Sequence, residues 1–405
     1  MNNTTKRAYF LYVFIIAFLV GIGFMFYSFY THGEEWASMT ANRHLYSNGQ
    51  ILNAGSIYDR NGERLAYSEN GQRSYHGSET VRKAFLHSIG DTSGFIATGV
   101  QTVYGNQLSG YDFVNGVYNL KKFGRGNDVT LTLDAKVCKI AYEAMGGRKG
   151  TVAVYNYKTG EIICMVSTPS FDPLNKPTDI DSNSAYEGVY INRFFTGVYT
   201  PGSTFKTVTA ICAIQNIPDL DSRRFNCTGS YNAGTGIVKC NGVHGVLDFE
   251  EGFNNSCNCV FAELAIELGT AKMTQTANQL GFNVKDNMGE TPISKSSFNV
   301  SKASPSDLGW AGIGQYTTLA NPCHMLTLMG AIANGGTAVK PYYINCITTP
   351  AGVSTPIGTT TKSETITLDS AIANRMVDYM RSNVVNKYGD STFKNLQMCG
   401  KTGTA

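Results

Sequence analysis

Charged residues are scarce in this chain of 405 residues: Asp, Glu, Lys and Arg together make up 16% of the sequence, against 42% for hydrophobic residues. This composition is too apolar and too weakly charged for an intrinsically disordered protein. The net charge is only +3, so the chain lacks a broad basic field and no nucleic-acid partner is expected. At ~150 residues per domain, the length corresponds to about three domains.

Cysteine is also limited. Ten cysteines are too few to staple a disulfide-rich miniprotein, and no C-x-x-C pair indicates a zinc site. Cys257 and Cys259 flank Asn258, but a zinc site needs four ligands and no others are evident nearby, so we predict two packing residues. Cys227 and Cys240 bracket a Gly-rich segment that can fold back, and their spacing leaves a disulfide open.

The first thirty residues predict a membrane anchor. Lys6 and Arg7 precede an uncharged apolar stretch over residues 8–30, close to the ~20 residues that a helix needs to cross a bilayer. Glu34 and Glu35 follow it, so the positive-inside rule places the N-terminus in the cytoplasm and the rest outside. A cleaved signal peptide is the alternative, but its apolar region is usually only ~7–15 residues long.

Two segments predict β-hairpins. Asn61-Gly62 lies between short apolar alternations and predicts a two-residue hairpin turn. Two β-branched runs in residues 151–166 flank a polar, Gly-containing turn. Residues 341–368, rich in Thr, Ile and Pro, predict strand and loop.

Helices are predicted around residues 203–216, 259–268 and 322–334. The last is bounded at both ends, because Asn321 can cap it, Pro322 suits its first turn, and the sequence Asn-Gly-Gly at 334–336 ends it. Strands at both ends of the chain with helices between them favour an α+β fold over alternating βαβ units.

Ser203 and Lys206 form an S-x-x-K tetrad. On a helix, residues three apart share a face, so the lysine amine can reach the serine hydroxyl and activate it as a nucleophile. The tetrad alone is weak evidence, because residues 391–394 repeat the same four letters, S-T-F-K. An isolated copy is more often a surface Ser and Lys.

Two further motifs also have rivals. Lys401-Thr402-Gly403 repeats at 158–160, within the second predicted hairpin turn, and the S-x-N triplet at 256–258 has a counterpart at 297–299. The order along the chain separates them. Only Ser203 follows Pro-Gly at 201–202, opens an apolar helical run, and is followed first by an S-x-N and then by a K-T-G.

The ordered set S-x-x-K, S-x-N and K-T-G resembles the signature of penicillin-binding proteins and class A β-lactamases. The chain resembles class B penicillin-binding proteins in particular, the membrane-anchored D,D-transpeptidases of peptidoglycan synthesis, and looks closest to the penicillin-binding protein A group. The segments that carry the likeness are 55–66, 170–175, 200–206, 244–265, 331–336 and 400–405.

The resemblance implies a role for each motif residue. Ser203 would attack the carbonyl between the two terminal D-alanines of a stem peptide, and Lys206 would accept its proton. Ser256 would relay a proton to the leaving amine. Asn258 would hydrogen-bond the substrate amide, and Lys401 would supply positive charge.

The K-T-G segment would complete the site. Thr402 and Thr404 would bind the substrate carboxylate, and Gly403 would leave room for the backbone. The backbone N–H groups of Ser203 and Thr404 would form the oxyanion hole. His244 is expected to be structural rather than catalytic.

The implied partners are peptidoglycan stem peptides derived from lipid II, β-lactam antibiotics, the membrane, and a glycosyltransferase of the division or elongation machinery. No cofactor and no metal are expected. Two alternatives remain: a β-lactamase-like hydrolase or β-lactam sensor, and a non-catalytic scaffold.

The expected organisation is a tail and single-pass anchor at 1–33, a small β-rich pedestal at 34–145, and a transpeptidase domain at 146–405 with an antiparallel sheet and helices on both sides. In the family, the K-T-G motif lies on a strand, and further strands and a helix follow it in the chain. We expect a strand at Lys401-Thr402-Gly403 here as well. We therefore expect the transpeptidase domain to be C-terminally incomplete in this sequence.

Overall fold

The computed structural model describes residues 3–37, 46–47, 50–51, 53–91, 93–109, 111–112, 116–117 and 125–405. The chain separates into two compact units. The first runs to residue 131 and includes 171–178 and 344–357; the second comprises 132–170, 179–343 and 358–405. Both units are discontinuous in sequence, and the linear domain boundaries proposed above stay a prediction.

The helices are distributed over both units. In chain order they are α1 Asn3–Ala37, α2 Glu79–Ile89, α3 Val100–Val103, α4 Gly105–Ser109, α5 Ala135–Met145, α6 Lys206–Asn216, α7 Phe249–Asn254, α8 Asn258–Gln279, α9 Pro305–Gly312, α10 Pro322–Ala333 and α11 Ser370–Asn383. A 3₁₀ turn, Gly202–Phe205, leads directly into α6, and a π-helical turn, Val384–Gly389, follows α11.

The strands are mostly short. They are β1 Tyr46–Ser47, β2 Gln50–Ile51, β3 Ile57–Tyr58, β4 Arg64–Glu69, β5 Gln72–Tyr75, β6 Tyr111–Asp112, β7 Gly116–Val117, β8 Asp128–Leu131, β9 Gly150–Tyr155, β10 Ile162–Thr168, β11 Phe225–Cys227, β12 Ser230–Asn232, β13 Ile237–Lys239, β14 Gly245–Leu247, β15 Asp286–Met288, β16 Thr291–Ile293, β17 Ile344–Thr348 and β18 Ser354–Pro356.

The N-terminal apolar segment forms the predicted helix. Within α1, the span Arg7–Gly33 contains an 18-residue stretch with a mean hydropathy of 2.4 and is long enough to cross a membrane. The predicted candidate span is therefore confirmed as an apolar helix.

The first unit contains a mixed six-stranded sheet in the order β18-β17-β8-β3-β4-β5. β3 and β8 run parallel, and the other neighbours are antiparallel. Ile57 on β3 pairs with Val129 on β8 and with Ala66 on β4, and all three side chains are fully buried. The sheet thus joins segments from both ends of the chain, and residues 341–368 contribute strands as predicted.

The hairpin at Asn61-Gly62 forms, but its predicted two-residue turn is wrong. β3 ends at Tyr58 and β4 begins at Arg64, so five residues connect them. The Asp59 carboxylate accepts hydrogen bonds from the backbone N–H groups of Asn61 and Glu63, both at 2.8 Å. The Asp59 side chain stabilises this wider turn, because its carboxylate accepts hydrogen bonds from backbone N–H groups inside the turn.

The second unit holds the antiparallel β9–β10 hairpin and most of the helices, including α6 and α8–α11. The predicted helices are confirmed. At the start of α10, Asn321 directly precedes Pro322, and its side chain accepts a hydrogen bond from the His324 N–H. The α+β fold class is likewise confirmed.

The start of α6 is fixed by aromatic packing in the core of the second unit. The Phe205 ring stacks on Phe298 at 5.1 Å and meets Phe282 edge-on at 5.3 Å between ring centroids. All three side chains are buried. Each such ring contributes ~1.5–3 kcal/mol by leaving water, so the first turn of α6 has a strong anchor next to Lys206.

An ion pair in the first unit that is largely shielded from water allows a stability test. Arg82 Nε and Nη2 each lie 2.7 Å from an oxygen of Asp172, and the two side chains are 10% and 4% exposed. Asp172→Asn leaves the partly buried guanidinium without its counter-charge, which should cost ~1–3 kcal/mol. We expect a clear drop in the thermal unfolding midpoint.

The matched control is Glu187→Gln, which removes the exposed Lys149–Glu187 pair at 3.0 Å. Exposed pairs contribute little because water and salt screen them, so the midpoint should hardly change. Equal shifts in the two variants would contradict the argument from burial.

Candidate active site

The first two motif residues lie on one helical face at the start of α6. Ser203 belongs to the 3₁₀ turn and Lys206 opens the α-helix. The Lys206 Nζ atom lies 3.0 Å from Ser203 Oγ. Lys206 is fully buried, so its amine is held against the serine hydroxyl rather than drawn into solvent.

Ser256 lies between the two lysines of the motifs. It follows α7 and precedes α8, and its backbone adopts a positive φ of 50°. Its hydroxyl Oγ is 3.1 Å from Lys206 Nζ and 2.9 Å from Lys401 Nζ. Its carbonyl oxygen also accepts from Lys206 at 2.5 Å. The three motifs therefore meet at one serine hydroxyl.

Asn258 lies in the first turn of α8, and both polar atoms of its side-chain amide form hydrogen bonds. Oδ1 accepts from Lys206 Nζ at 2.7 Å, and Nδ2 donates to the Lys239 carbonyl at 2.9 Å. The residue is buried. These contacts position Lys206, and the predicted hydrogen bond to the substrate amide stays a prediction.

The environment of the two lysines lowers both of their pKa values. Burial, and then the positive charge of Lys401, lower the pKa of the Lys206 amine to about 7; the thiols of Cys240, Cys257 and Cys259 act in the opposite direction. Burial lowers the pKa of Lys401 to about 8. Near neutral pH, Lys206 can therefore lose its proton while Lys401 keeps its charge.

The K-T-G segment is not on a strand, and this part of the prediction is wrong: residues 394–405 form no helix or strand. Side chains hold the segment instead. The Tyr388 hydroxyl accepts from the Thr402 N–H at 3.0 Å and contacts Thr402 Oγ1 at 2.7 Å. Asn383 Nδ2 donates to the Gly400 carbonyl and to the Tyr388 hydroxyl, at 2.9 and 2.8 Å.

Sequence reasoning missed Tyr388 and Asn383. Asn383 is the last residue of α11, and Tyr388 lies in the π-helical turn that follows it; no motif marks either position. These two side chains hydrogen-bond Gly400 and Thr402, on either side of Lys401, in a segment that forms no strand.

Two glycines allow the K-T-G backbone to approach Ser203. A Cβ on Gly202, which has a φ of +53°, would lie 2.2 Å from the Thr404 carbonyl oxygen. A Cβ on Gly403 would lie 2.8 Å from Thr204 Cγ2 and 2.9 Å from the Pro201 carbonyl oxygen. Thr404 thus lies beside the residue that precedes Ser203, and only glycine fits at either crossing.

The rival motifs lie apart from this constellation. The S-T-F-K copy at 391–394 begins in a 3₁₀ turn with Ser391 exposed. The K-T-G copy at 158–160 occupies the β9–β10 turn, where Asn156 accepts from its backbone. Phe298, in the S-x-N copy, packs in the core under Phe205.

The cysteines near Asn258 contradict one prediction. Cys227, Cys240, His244 and Cys257 bring their ligand atoms within 4.8 Å of one another. Cys257 therefore does have potential co-ligands nearby, contrary to the expectation from sequence. All ten cysteines are free thiols in the structure, Cys227 and Cys240 included.

A family model described as the penicillin-binding protein transpeptidase domain matches residues 150–405, well over half of the chain. The chain belongs to the penicillin-binding protein transpeptidase family. The resemblance to class B penicillin-binding proteins, carried by the three motifs, is confirmed.

Individual family members are distant. The chain is 28% identical over 338 residues to the peptidoglycan D,D-transpeptidase PbpA of Mycolicibacterium smegmatis, covering 75% of this chain and 64% of that relative. It is 26% identical over 385 residues to penicillin-binding protein 3 of Bacillus subtilis, covering 87% and 54%. The chain thus spans less than two thirds of either relative.

Solved structures of the family share the fold. The ceftriaxone acyl-enzyme complex of penicillin-binding protein A from M. tuberculosis superposes with a TM-score of 0.74, covering 87% of this chain and 85% of that one, at 21% identity. At this identity the likeness concerns the fold alone.

The role of Tyr388 can be tested without an activity assay. Tyr388→Phe removes the acceptor of the Thr402 N–H, and losing a hydrogen bond worth ~1 kcal/mol should speed exchange of that amide about fivefold. Hydrogen–deuterium exchange measures the rate. Tyr157→Phe, in the β9–β10 turn, is the control and should leave the Thr402 amide unchanged. Equal exchange in both variants would contradict the assignment.

Proposed function

We propose that this chain is a peptidoglycan D,D-transpeptidase that works through an acyl-enzyme on Ser203. One observation carries the proposal: two lysine amines converge on two serine hydroxyls. Lys206 lies 3.0 Å from Ser203, and Ser256 lies 3.1 and 2.9 Å from Lys206 and Lys401. Family membership and the names of the relatives point to the same chemistry.

In the first half-reaction, neutral Lys206 takes the proton of Ser203 as Oγ attacks the carbonyl carbon between the two terminal D-alanines of a stem peptide. The peptide C–N bond then breaks. The proton held by Lys206 passes through the Ser256 hydroxyl to the leaving amine, D-alanine departs, and the acyl group stays on Ser203. The lowered pKa of Lys206 favours this role, because an amine that is partly neutral at pH 7 is an effective base.

In the second half-reaction, the amine of another stem peptide attacks the acyl-enzyme and forms the cross-link. Lys401 stabilises negative charge beside Ser256, and the hydroxyls of Thr402 and Thr404 hold the substrate carboxylate. The N–H groups of Ser203 and Thr404 form the oxyanion hole. The close approach of Thr404 to Gly202 supports this last assignment, and losing one such donor typically costs ~2.7–4 kcal/mol of barrier.

We propose further that the protein is single-pass, with its N-terminus in the cytoplasm and the second unit outside. The apolar helix Arg7–Gly33 supports an anchor, and Lys6 and Arg7 on its N-terminal side support this orientation. The substrates would be stem peptides derived from lipid II, the partner a glycosyltransferase of the division or elongation machinery, and β-lactams would acylate Ser203.

The nucleophile is tested by labelling with a fluorescent penicillin. Ser203→Ala should abolish covalent labelling, because alanine has no hydroxyl at the start of α6 that could form the acyl bond. The matched control is Ser391→Ala, in the exposed copy of the tetrad, which should label as the unmodified chain does. Labelling of Ser203→Ala at the control level would overturn the assignment.

The lifetime of that adduct separates the proposal from a hydrolase. A transpeptidase should hold the penicilloyl group long enough for it to survive denaturing electrophoresis, and it should transfer acyl groups to an added D-amino acid. Rapid release of hydrolysed penicillin from Ser203 would favour a β-lactamase-like enzyme.

The pH dependence follows from the two lysines. The pKa of Lys206 is lowered to about 7 and that of Lys401 to about 8, so the rate of acylation should rise as Lys206 loses its proton and fall as Lys401 loses its charge. We expect a narrow bell between these values, with apparent pKa values that belong to the coupled pair. Stopped-flow acylation by a penicillin measures it.

Lys401→Arg is the control for the alkaline limb. Arginine keeps its charge throughout this range, so the decline above pH 8 should move to higher pH even if the maximal rate falls. An unchanged alkaline limb would rule out Lys401 as its origin.

A further inference from the structure

Four side chains with metal-binding atoms meet directly behind the Ser256–Asn258 turn. Cys227 ends β11, Cys240 follows β13, His244 precedes β14, and Cys257 caps the N-terminus of α8. Cys227 and Cys257 are buried, and Cys240 and His244 are half-buried. The group is therefore enclosed by protein and built from segments separated by up to thirty residues.

Three of the six separations among the four ligand atoms lie close to the edge lengths of a metal tetrahedron. With Zn–S bonds of ~2.3 Å and Zn–N bonds of ~2.0–2.1 Å, tetrahedral geometry requires sulfurs ~3.8 Å apart and sulfur–nitrogen separations of ~3.6 Å. The Cys240 and Cys257 sulfurs are 3.8 Å apart. His244 Nδ1 lies 3.3 Å from the Cys227 sulfur and 3.6 Å from the Cys240 sulfur.

A disulfide does not account for this arrangement. Bonded sulfurs lie ~2.05 Å apart, whereas Cys240 and Cys257 are separated by 3.8 Å. A pairwise bond would also leave one thiol and the imidazole without a function in the group. All four ligand atoms instead lie within 4.8 Å of one another, as is required of atoms that share one centre.

We propose that Cys227, Cys240, His244 and Cys257 bind one Zn²⁺ ion in a closed, structural site. Three thiolates and an imidazole select a soft or borderline metal and exclude magnesium and calcium, which prefer oxygen. Tetrahedral S₃N coordination is typical of zinc. Four protein ligands leave no open position, so the ion would not take part in the acyl-transfer chemistry.

Cys259 supports the site without being a ligand. Its sulfur lies 3.5 Å from that of Cys227, which donates to it when Cys227 is a thiol. When Cys227 is a metal-bound thiolate, the Cys259 thiol can donate to it. Such a partner orients a ligand rather than replacing it.

The proposed ion is coupled to the active-site turn through Asn258. The Asn258 backbone N–H donates to the Cys240 sulfur at 3.2 Å, and its side-chain Nδ2 donates to the carbonyl of Lys239. Cys257 immediately precedes Asn258 and follows Ser256, whose φ is positive. A metal at this point would pin the β13–β14 segment to the turn that presents Ser256 and Asn258 to Lys206.

Metal content of this 405-residue chain in detergent tests the proposal. After purification under reducing conditions without chelators, elemental analysis should find one zinc per chain. Cys240→Ser and His244→Ala should reduce bound zinc by at least ~10-fold, since even changes around a ligand cost that much. Cys212→Ser, at a buried cysteine of α6 outside the group, is the matched control and should keep the ion.

Two readouts on the unmodified sequence keep the test decisive if a variant fails to fold. Replacing zinc with Co²⁺ should give the visible absorption of tetrahedral cobalt thiolate. Stripping the metal should lower the thermal unfolding midpoint, and added Zn²⁺ should restore it.

Three results would overturn the proposal: no zinc bound after reconstitution, zinc retained by both ligand variants, or a disulfide between any two of these cysteines in non-reduced peptides. None of these measurements depends on penicillin labelling, so the metal site and the transpeptidase proposal can fail separately.

Discussion

The site depends on keeping the amine of Lys206 out of water. A buried ammonium is costly unless it is neutralised or surrounded by acceptors, and here oxygens of Ser203, Ser256 and Asn258 surround it. Phe205 anchors the helix start that carries the lysine. The cost of burial appears as a lowered pKa, which is the property that a general base needs.

The hydrogen-bond acceptors that surround the Lys206 amine come partly from segments other than α6, and these segments must be held in place. Ser256 occupies a left-handed turn between two helices, and Asn258 is tied back to the segment containing Lys239 and Cys240. On the opposite side, Tyr388 and Asn383 hold the K-T-G segment. The position of Lys206 therefore also depends on hydrogen bonds made by residues outside α6.

Much of the local structure was predictable. The start of α10 follows from Asn321 and Pro322, and the β9–β10 hairpin follows from its two β-branched runs, because these signals act within a few residues. Two predictions of local structure fail for different reasons. The Asn61-Gly62 turn is wider because the Asp59 carboxylate supplies the acceptors, and the K-T-G segment has side-chain partners where strand partners were expected.

The sequence by itself determined the family and the order of the three motifs. It also distinguished Ser203 from the serine of the second S-T-F-K copy, because the signals for a helix start lie in the residues next to Ser203. Only the tertiary structure decided that Ser256 bridges two lysines, that Tyr388 positions Thr402, and that three cysteines and His244 meet behind Asn258. The physical reason is the same in each case. These contacts join segments that are far apart in the chain, and no periodicity or capping signal in either segment records its distant partner.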